Sequence, residues 1–240
     1  MLTIFHHAAR VAAIVSLVAA LAACGGEEPA QRKAFMAFLQ DINGRTGTHI
    51  LKPTAKDEKD FGPYLQQYKI IVDYAEGMRV ATEAYGQDIG KLGFGPHSTP
   101  RTIEQMAAAP QDLVAAKQIT EGFEHATEAR LADAQAKHDA LKQPDDLKTV
   151  YDKTFSKLVT TPTLAFENSS KALLDGLDAS IKLTGYINSH RTKLSVSGMQ
   201  VQAKDQHTLD EVGALIRAHA AAGEKFVAAQ RDGLRLVNDN

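Results

Sequence analysis

Only one of the 240 residues is a cysteine, Cys24, so no internal disulfide can form, and an oxidising compartment offers the fold no covalent staple. Stability must come from packing. An excess of one charge is also missing. The 27 Lys and Arg stand against 29 Asp and Glu, a net charge of −2 that argues against a dedicated nucleic-acid surface. No apolar run reaches the ~20 residues that a membrane-spanning helix needs. The strongest, Val11 to Ala20, is interrupted by Ser16. The sequence contains neither a GxSxG nucleophile turn nor an HExxH zinc pair. The glycines of "YGQDIGKLGFGP" (85–96) lack the strand before and the helix start after them that a phosphate cradle requires, so this stretch reads as a flexible connection. No catalytic residue is expected, and no fixed-period repeat occurs.

The apolar run itself has a recognisable ending. His6, His7 and Arg10 precede it, and Leu21, Ala22, Ala23 and Cys24 close it before Gly25 and Gly26. A leucine, two small residues and a cysteine in this order resemble a bacterial lipoprotein signal peptide over residues 1–23, cleaved between Ala23 and Cys24. The resemblance implies a diacylglyceryl thioether on the Cys24 sulfur and a third acyl chain on the new amine. No other cofactor is expected. Each buried methylene contributes about 0.8 kcal/mol, and two or three chains hold a protein durably where one does not. The alkylated sulfur could not act as a nucleophile. Removing residues 1–23 from 240 leaves 217 and deletes one charged residue, Arg10, so 26 basic residues face 29 acidic ones, or −3. Gly25, where an aspartate marks inner-membrane retention in enteric lipoproteins, points to the outer membrane, with the protein facing the periplasm.

Beyond a polar tether over residues 24–30, the periodicity is helical and predicts one mainly α domain, residues 31–240, built as an elongated bundle of long amphipathic helices. Phe35, Phe38, Leu39 and Ile42 share one face, and Asn43 and Gly44 suit the end of that helix. Thr54, followed by Asp57 and Glu58, suits a second start. A seam in steps of three and four follows through Phe61, Leu65, Tyr68, Val72, Ala75, Met78, Thr82, Tyr85 and Ile89. Pro63 can postpone that helix. A short helix is expected near 101–109, and a long one over 111–143 that reaches about 50 Å. Pro144 and Pro162 mark new helix starts. The last helix is expected over 205–237 with Leu209, Val212, Ile216, Phe226, Leu234 and Val237 facing inward. Only "TKLSVSGMQVQ" (192–202) breaks the period, alternating around Ser197 and Gly198 as a short β-hairpin does.

"QRKAFMAFLQ" (31–40), "FGPYLQQYKI" (61–70), "LKQPDDLKTVYDKTFSKLVTTP" (141–162) and "LSVSGMQVQ" (194–202) together resemble the family of Gram-negative lipoproteins called domain of unknown function 3053. The likeness runs from Gln31 to the C-terminal helix. It implies a lipidated, predominantly helical envelope protein and carries no catalytic motif.

Among the polar side chains, "EGFEHATE" is the richest cluster. Glu121, His125 and Glu128 fall at i, i+4 and i+7 and could offer three ligands to a divalent metal. Helical di-metal sites repeat a Glu-x-x-His motif on a facing helix, and no second copy exists here, so the cluster reads as a solvated face and no metal is expected. The other histidines considered, His49, His97, His138, His190, His207 and His219, stand alone. His219, near the apolar stripe of the last helix, reads as a hydrogen-bonded packing residue. The expectation is a non-enzymatic interaction or structural lipoprotein whose partners are the membrane, through its anchor, and an envelope protein, with no nucleic acid. The alternative is a small-molecule or lipid-binding protein with a pocket between helices.

Overall fold

The computed structural model describes residues 27–95 and 98–239. The expected signal peptide, with Ala23 and Cys24, and His97 lie outside the described residues. Helix α1, Glu28–Gly44, takes Pro29 in its first turn, where a missing N–H costs nothing, and buries Phe35, Leu39 and Ile42. It begins at Glu28, inside the stretch expected as tether. Helix α2, Ala55–Phe61, is started by a capping box. The Thr54 hydroxyl accepts from the Asp57 N–H at 3.2 Å, and the Asp57 carboxylate accepts from the Thr54 N–H at 2.9 Å. Pro63 occupies a single 3₁₀ turn, Gly62–Tyr64, and delays helix α3 to Leu65–Lys91. A second capping box, Thr102 with Gln105, opens α4, Ile103–Ala108, and Pro110 opens α5, Pro110–Asp139.

Helix α6, Asp145–Phe155, does not break before Pro162 as expected. A π-helical turn, Ser156–Thr160, joins it to α7, Thr161–Ser189, and Pro162 falls in the first turn of α7. A proline has no N–H to donate, and the wider turn carries the chain past it without a stop. Strands β1, Leu194–Ser197, and β2, Gln200–Ala203, pair antiparallel with Val196 opposite Val201. Gly198 takes a φ of 60° at the first loop position and Met199 a negative φ, the backbone of a type II′ turn. Helix α4 grips this turn. The Gly198 N–H donates to the Glu104 carboxylate at 2.7 Å, and the Glu104 N–H donates to the Gly198 carbonyl at 3.0 Å. Helix α8, Gln206–Asn238, is capped by Asp205 and returns along α7.

Two apolar clusters form the core. One gathers Phe35, Leu39, Phe61, Tyr68, Ile71, Leu147, Tyr151 and Phe155 from α1, α2, α3 and α6, with edge-on contacts such as Phe35–Phe61 at 5.4 Å. The other gathers Ile89, Ile103, Met106, Leu113, Leu177, Leu183, Ile187, Leu194 and Val212. Helices α3 and α5, about 40 and 45 Å long at 1.5 Å per residue, contribute to both clusters, which makes the molecule elongated. Each fully buried side chain of this kind contributes about 1.5–3 kcal/mol.

Two stripes differ from expectation. On α3, Ile71 and Tyr74 are buried where Val72 and Ala75 were expected, because 3.6 residues per turn rotates the face away from a strict three-and-four seam. On α8, Val212 is buried, but Leu209 and Leu234 are exposed, because α8 packs almost entirely on α7 and a single neighbour covers a narrow stripe.

Candidate functional site

Between the two apolar clusters the packing becomes polar and aromatic. Thr120 and Thr127 of α5 are buried, and each donates its hydroxyl proton to a carbonyl one turn back in its own helix, Ala116 at 2.8 Å and Phe123 at 2.9 Å. The Tyr74 hydroxyl meets that of Thr163 on α7, and Thr163 itself bonds back to the Val159 carbonyl at 2.6 Å. Tyr85 stacks on Phe123 with ring centres 4.6 Å apart, and Phe123 meets Phe166 edge-on at 4.9 Å. Threonines and aromatic rings occupy this level. A cleft of about 630 Å³ opens beside it, walled by α3, α5, α7, α8 and the loop after α3.

The cleft is lined by Tyr85, Ile89, Phe94, Leu173, Leu177 and Phe226, with Thr120 and Gln230 as further polar groups and no charged residue among the described residues. Because Thr120 spends its single proton on Ala116, Tyr85 is the donor in the long 3.3 Å contact between the two hydroxyls. Burial raises the Tyr85 pKa above its ordinary value, so the phenol is neutral throughout the physiological range. The loop wall is held in place by Arg101. Its guanidinium lies 4.6 Å over the Phe94 ring, donates to the Leu92 carbonyl, and pairs with Asp112 at 2.8 Å. Gly93, at φ 74°, makes the bend that turns Phe94 inward. Part of the glycine-rich stretch that reads as a mere connection in the sequence is therefore a wall of the cleft. Gly86 also lines it, with nothing within 4 Å of the position a Cβ would take.

The polar cluster of α5 is dispersed. Glu121 reaches Lys117 at 3.7 Å, while His125 meets Glu128 at 3.4 Å with its side chain 78% exposed. Among the described residues no group of three His, Cys, Asp or Glu is placed to hold a metal ion. His219 lies beside Ser180, ring nitrogen to hydroxyl at 3.1 Å, in the packing role its place on the helix suggests.

Sequence reasoning missed His138. Its two ring nitrogens lie 2.8 Å from Asp139 and 3.0 Å from Asp152, and its ring packs on Tyr151 and Phe155. It ties the end of α5 to α6, 14 positions apart across a loop, and no local spacing signals such a contact. The cleft residues were missed for the same reason, since they come from four helices and one loop. No helix among the described residues is long and apolar enough to cross a membrane.

Comparison with known proteins fits this picture. The chain is 29% identical over 224 residues to the uncharacterized protein YiaF of Escherichia coli K12, covering 89% of each chain, and equally to that of Shigella flexneri. No solved structure matches. The profile of one family, described as "Protein of unknown function (DUF3053)", matches residues 11–233, and the chain belongs to that family.

Proposed function

We propose that this chain is a non-enzymatic envelope lipoprotein, held at the outer membrane by acyl chains on Cys24, whose helical body takes up a small apolar molecule in the cleft between α3, α5, α7 and α8. The observation that carries the reading is the cleft itself. Its volume falls within the ~300–1,000 Å³ typical of small-molecule sites, and it combines apolar walls with a few polar groups. The leucine, two alanines and cysteine at 21–24 support the anchor, and the absence of any recognised catalytic motif in the sequence supports a binding role. A second reading, a protein partner in the envelope, is favoured by Val227 and Leu234, two turns apart on one face of α8 and 64% and 65% exposed.

The test is co-purification. The full chain is isolated from envelopes of a Gram-negative host, extracted with organic solvent, and the non-covalent extract is identified by mass spectrometry, with Gly86→Phe in parallel. A molecule recovered with the natural chain and lost from the variant supports the reading. Equal recovery from both, or none from either, refutes it.

A further inference from the structure

We propose that the cleft selects an uncharged long-chain lipid with one small hydroxyl- or ester-bearing end, such as a monoacylglycerol or a fatty alcohol, with that polar end on Tyr85. This rests on the ligand-binding reading above. It adds the chemical class of the ligand.

The first argument is charge. None of the described lining residues is ionisable in the physiological range, since the Tyr85 phenol stays neutral. Three charged side chains close to the cleft wall are matched. Arg101 pairs with Asp112 at 2.8 Å, Lys117 with Asp178 at 2.7 Å, and Lys91 with Asp88 at 2.6 Å. A carboxylate or phosphate drawn into the cleft would lose its water and meet no cation among the described lining residues, which is costly for a buried ion. A neutral head loses far less.

The second argument is the single polar spot. Tyr85 holds its proton on a 3.3 Å contact, longer than a normal O–H···O bond, while Thr120 is already satisfied through Ala116. A ligand oxygen at normal distance would win that proton, and the phenol oxygen can still accept from a ligand hydroxyl. Every other inward wall is apolar: Ile89, Phe94, Leu173, Leu177 and Phe226. Gln230 is exposed and so belongs to the solvent rim. One hydrogen-bonding point on an otherwise aliphatic and aromatic wall fits a ligand with one polar end and a long apolar remainder.

Isolated envelopes carrying the full chain are exposed to photoactivatable, clickable probes of one chain length in three forms: a monoacylglycerol, a fatty acid and a phosphatidic acid. Crosslinked peptides are then mapped, with helical content and melting temperature checked for each variant. The monoacylglycerol should label peptides spanning 85–94, 173–177 or 226–230. The two anionic probes should label them at least about tenfold less, as ~1.4 kcal/mol would give. Tyr85→Phe should lower monoacylglycerol labelling about fivefold, the worth of one neutral hydrogen bond. Gly86→Phe, which enters open space, and Leu173→Trp on the opposite wall should each abolish it. Equal labelling by the anionic probes, or no effect of Tyr85→Phe, overturns the neutral-lipid assignment. In that outcome, cleft labelling that the two blocking variants remove leaves the ligand-binding reading standing. Labelling outside the cleft, or labelling that the blocking variants do not change, overturns both.

Discussion

Replacing Gly86 and Gly233 by alanine, one at a time, should give unequal stabilisation, because the two helical glycines differ in what a Cβ would meet. Glycine in a helix interior costs about 0.8–1 kcal/mol relative to alanine. At Gly86 the added methyl finds nothing within 4 Å, so the whole gain should be realised. For a chain of this size, about 1 kcal/mol raises the melting temperature by about 2–4 °C. At Gly233 the methyl would stand 3.3 Å from the Ala165 carbonyl oxygen and 3.4 Å from the Ala165 Cβ, where α8 lies close against α7. The neighbour must give by a few tenths of an ångström, and a gap of that order spreads through contacts worth about 0.1–0.2 kcal/mol each. The loss should offset half or more of the propensity gain. Thermal melts followed by circular dichroism should therefore show a clear rise for Gly86→Ala, a shift under half that size for Gly233→Ala, and a fall for Gly233→Leu, whose side chain would push the helices apart. Equal rises for the two alanine variants would refute the close approach of α7 and α8. A fall for Gly86→Ala would refute an open cleft at that position.

Cys24→Ser should abolish labelling by radioactive palmitate and release the protein from the high-salt-washed membrane pellet, while Gly25→Asp should keep the label and shift the protein to the inner membrane; a Cys24→Ser protein that still labels would refute the anchor. Tyr151→Phe should cost about 1 kcal/mol in denaturant melts, because only the 2.6 Å bond to the Gln67 carbonyl is lost. Tyr151→Ala should cost about 3–5 kcal/mol, because a fully buried ring is removed from the larger aromatic cluster. Burial holds the His219 imidazole below its ordinary pKa of 6.5, so as pH falls through that value the unfolded chain takes up a proton before the folded one does. The contribution of His219 to stability is therefore full above about pH 6.5 and is lost on acidification. Denaturant midpoints of His219→Leu should fall less between neutral and mildly acidic pH than those of the natural chain, and an equal fall in both would refute the assignment.

What the sequence determined by itself is what depends on near neighbours along the chain. Thr54 caps the helix that follows it through Asp57, three residues ahead, Pro110 opens one at its first turn, and Gly198 supplies the positive φ that a two-residue hairpin loop demands. These interactions span a few positions, so order and spacing are enough to reveal them, and the family resemblance is legible for the same reason. Tertiary structure decided which face of each helix is covered. Tyr74 turned inward because α7 brings Thr163 to its hydroxyl, Leu234 remained exposed because α8 packs chiefly on α7, and His125 stayed in solvent while His138 became a tie between two aspartates. The cleft belongs to the same class. Tyr85, Phe94, Thr120, Leu177 and Phe226 are up to 141 positions apart, and only the crossing of four helices and the pinning of one loop by Arg101 bring them to one cavity. Periodicity states that a side chain will face a neighbour, but the neighbour's identity, and any gap left between them, is set by packing over distances that no local pattern encodes.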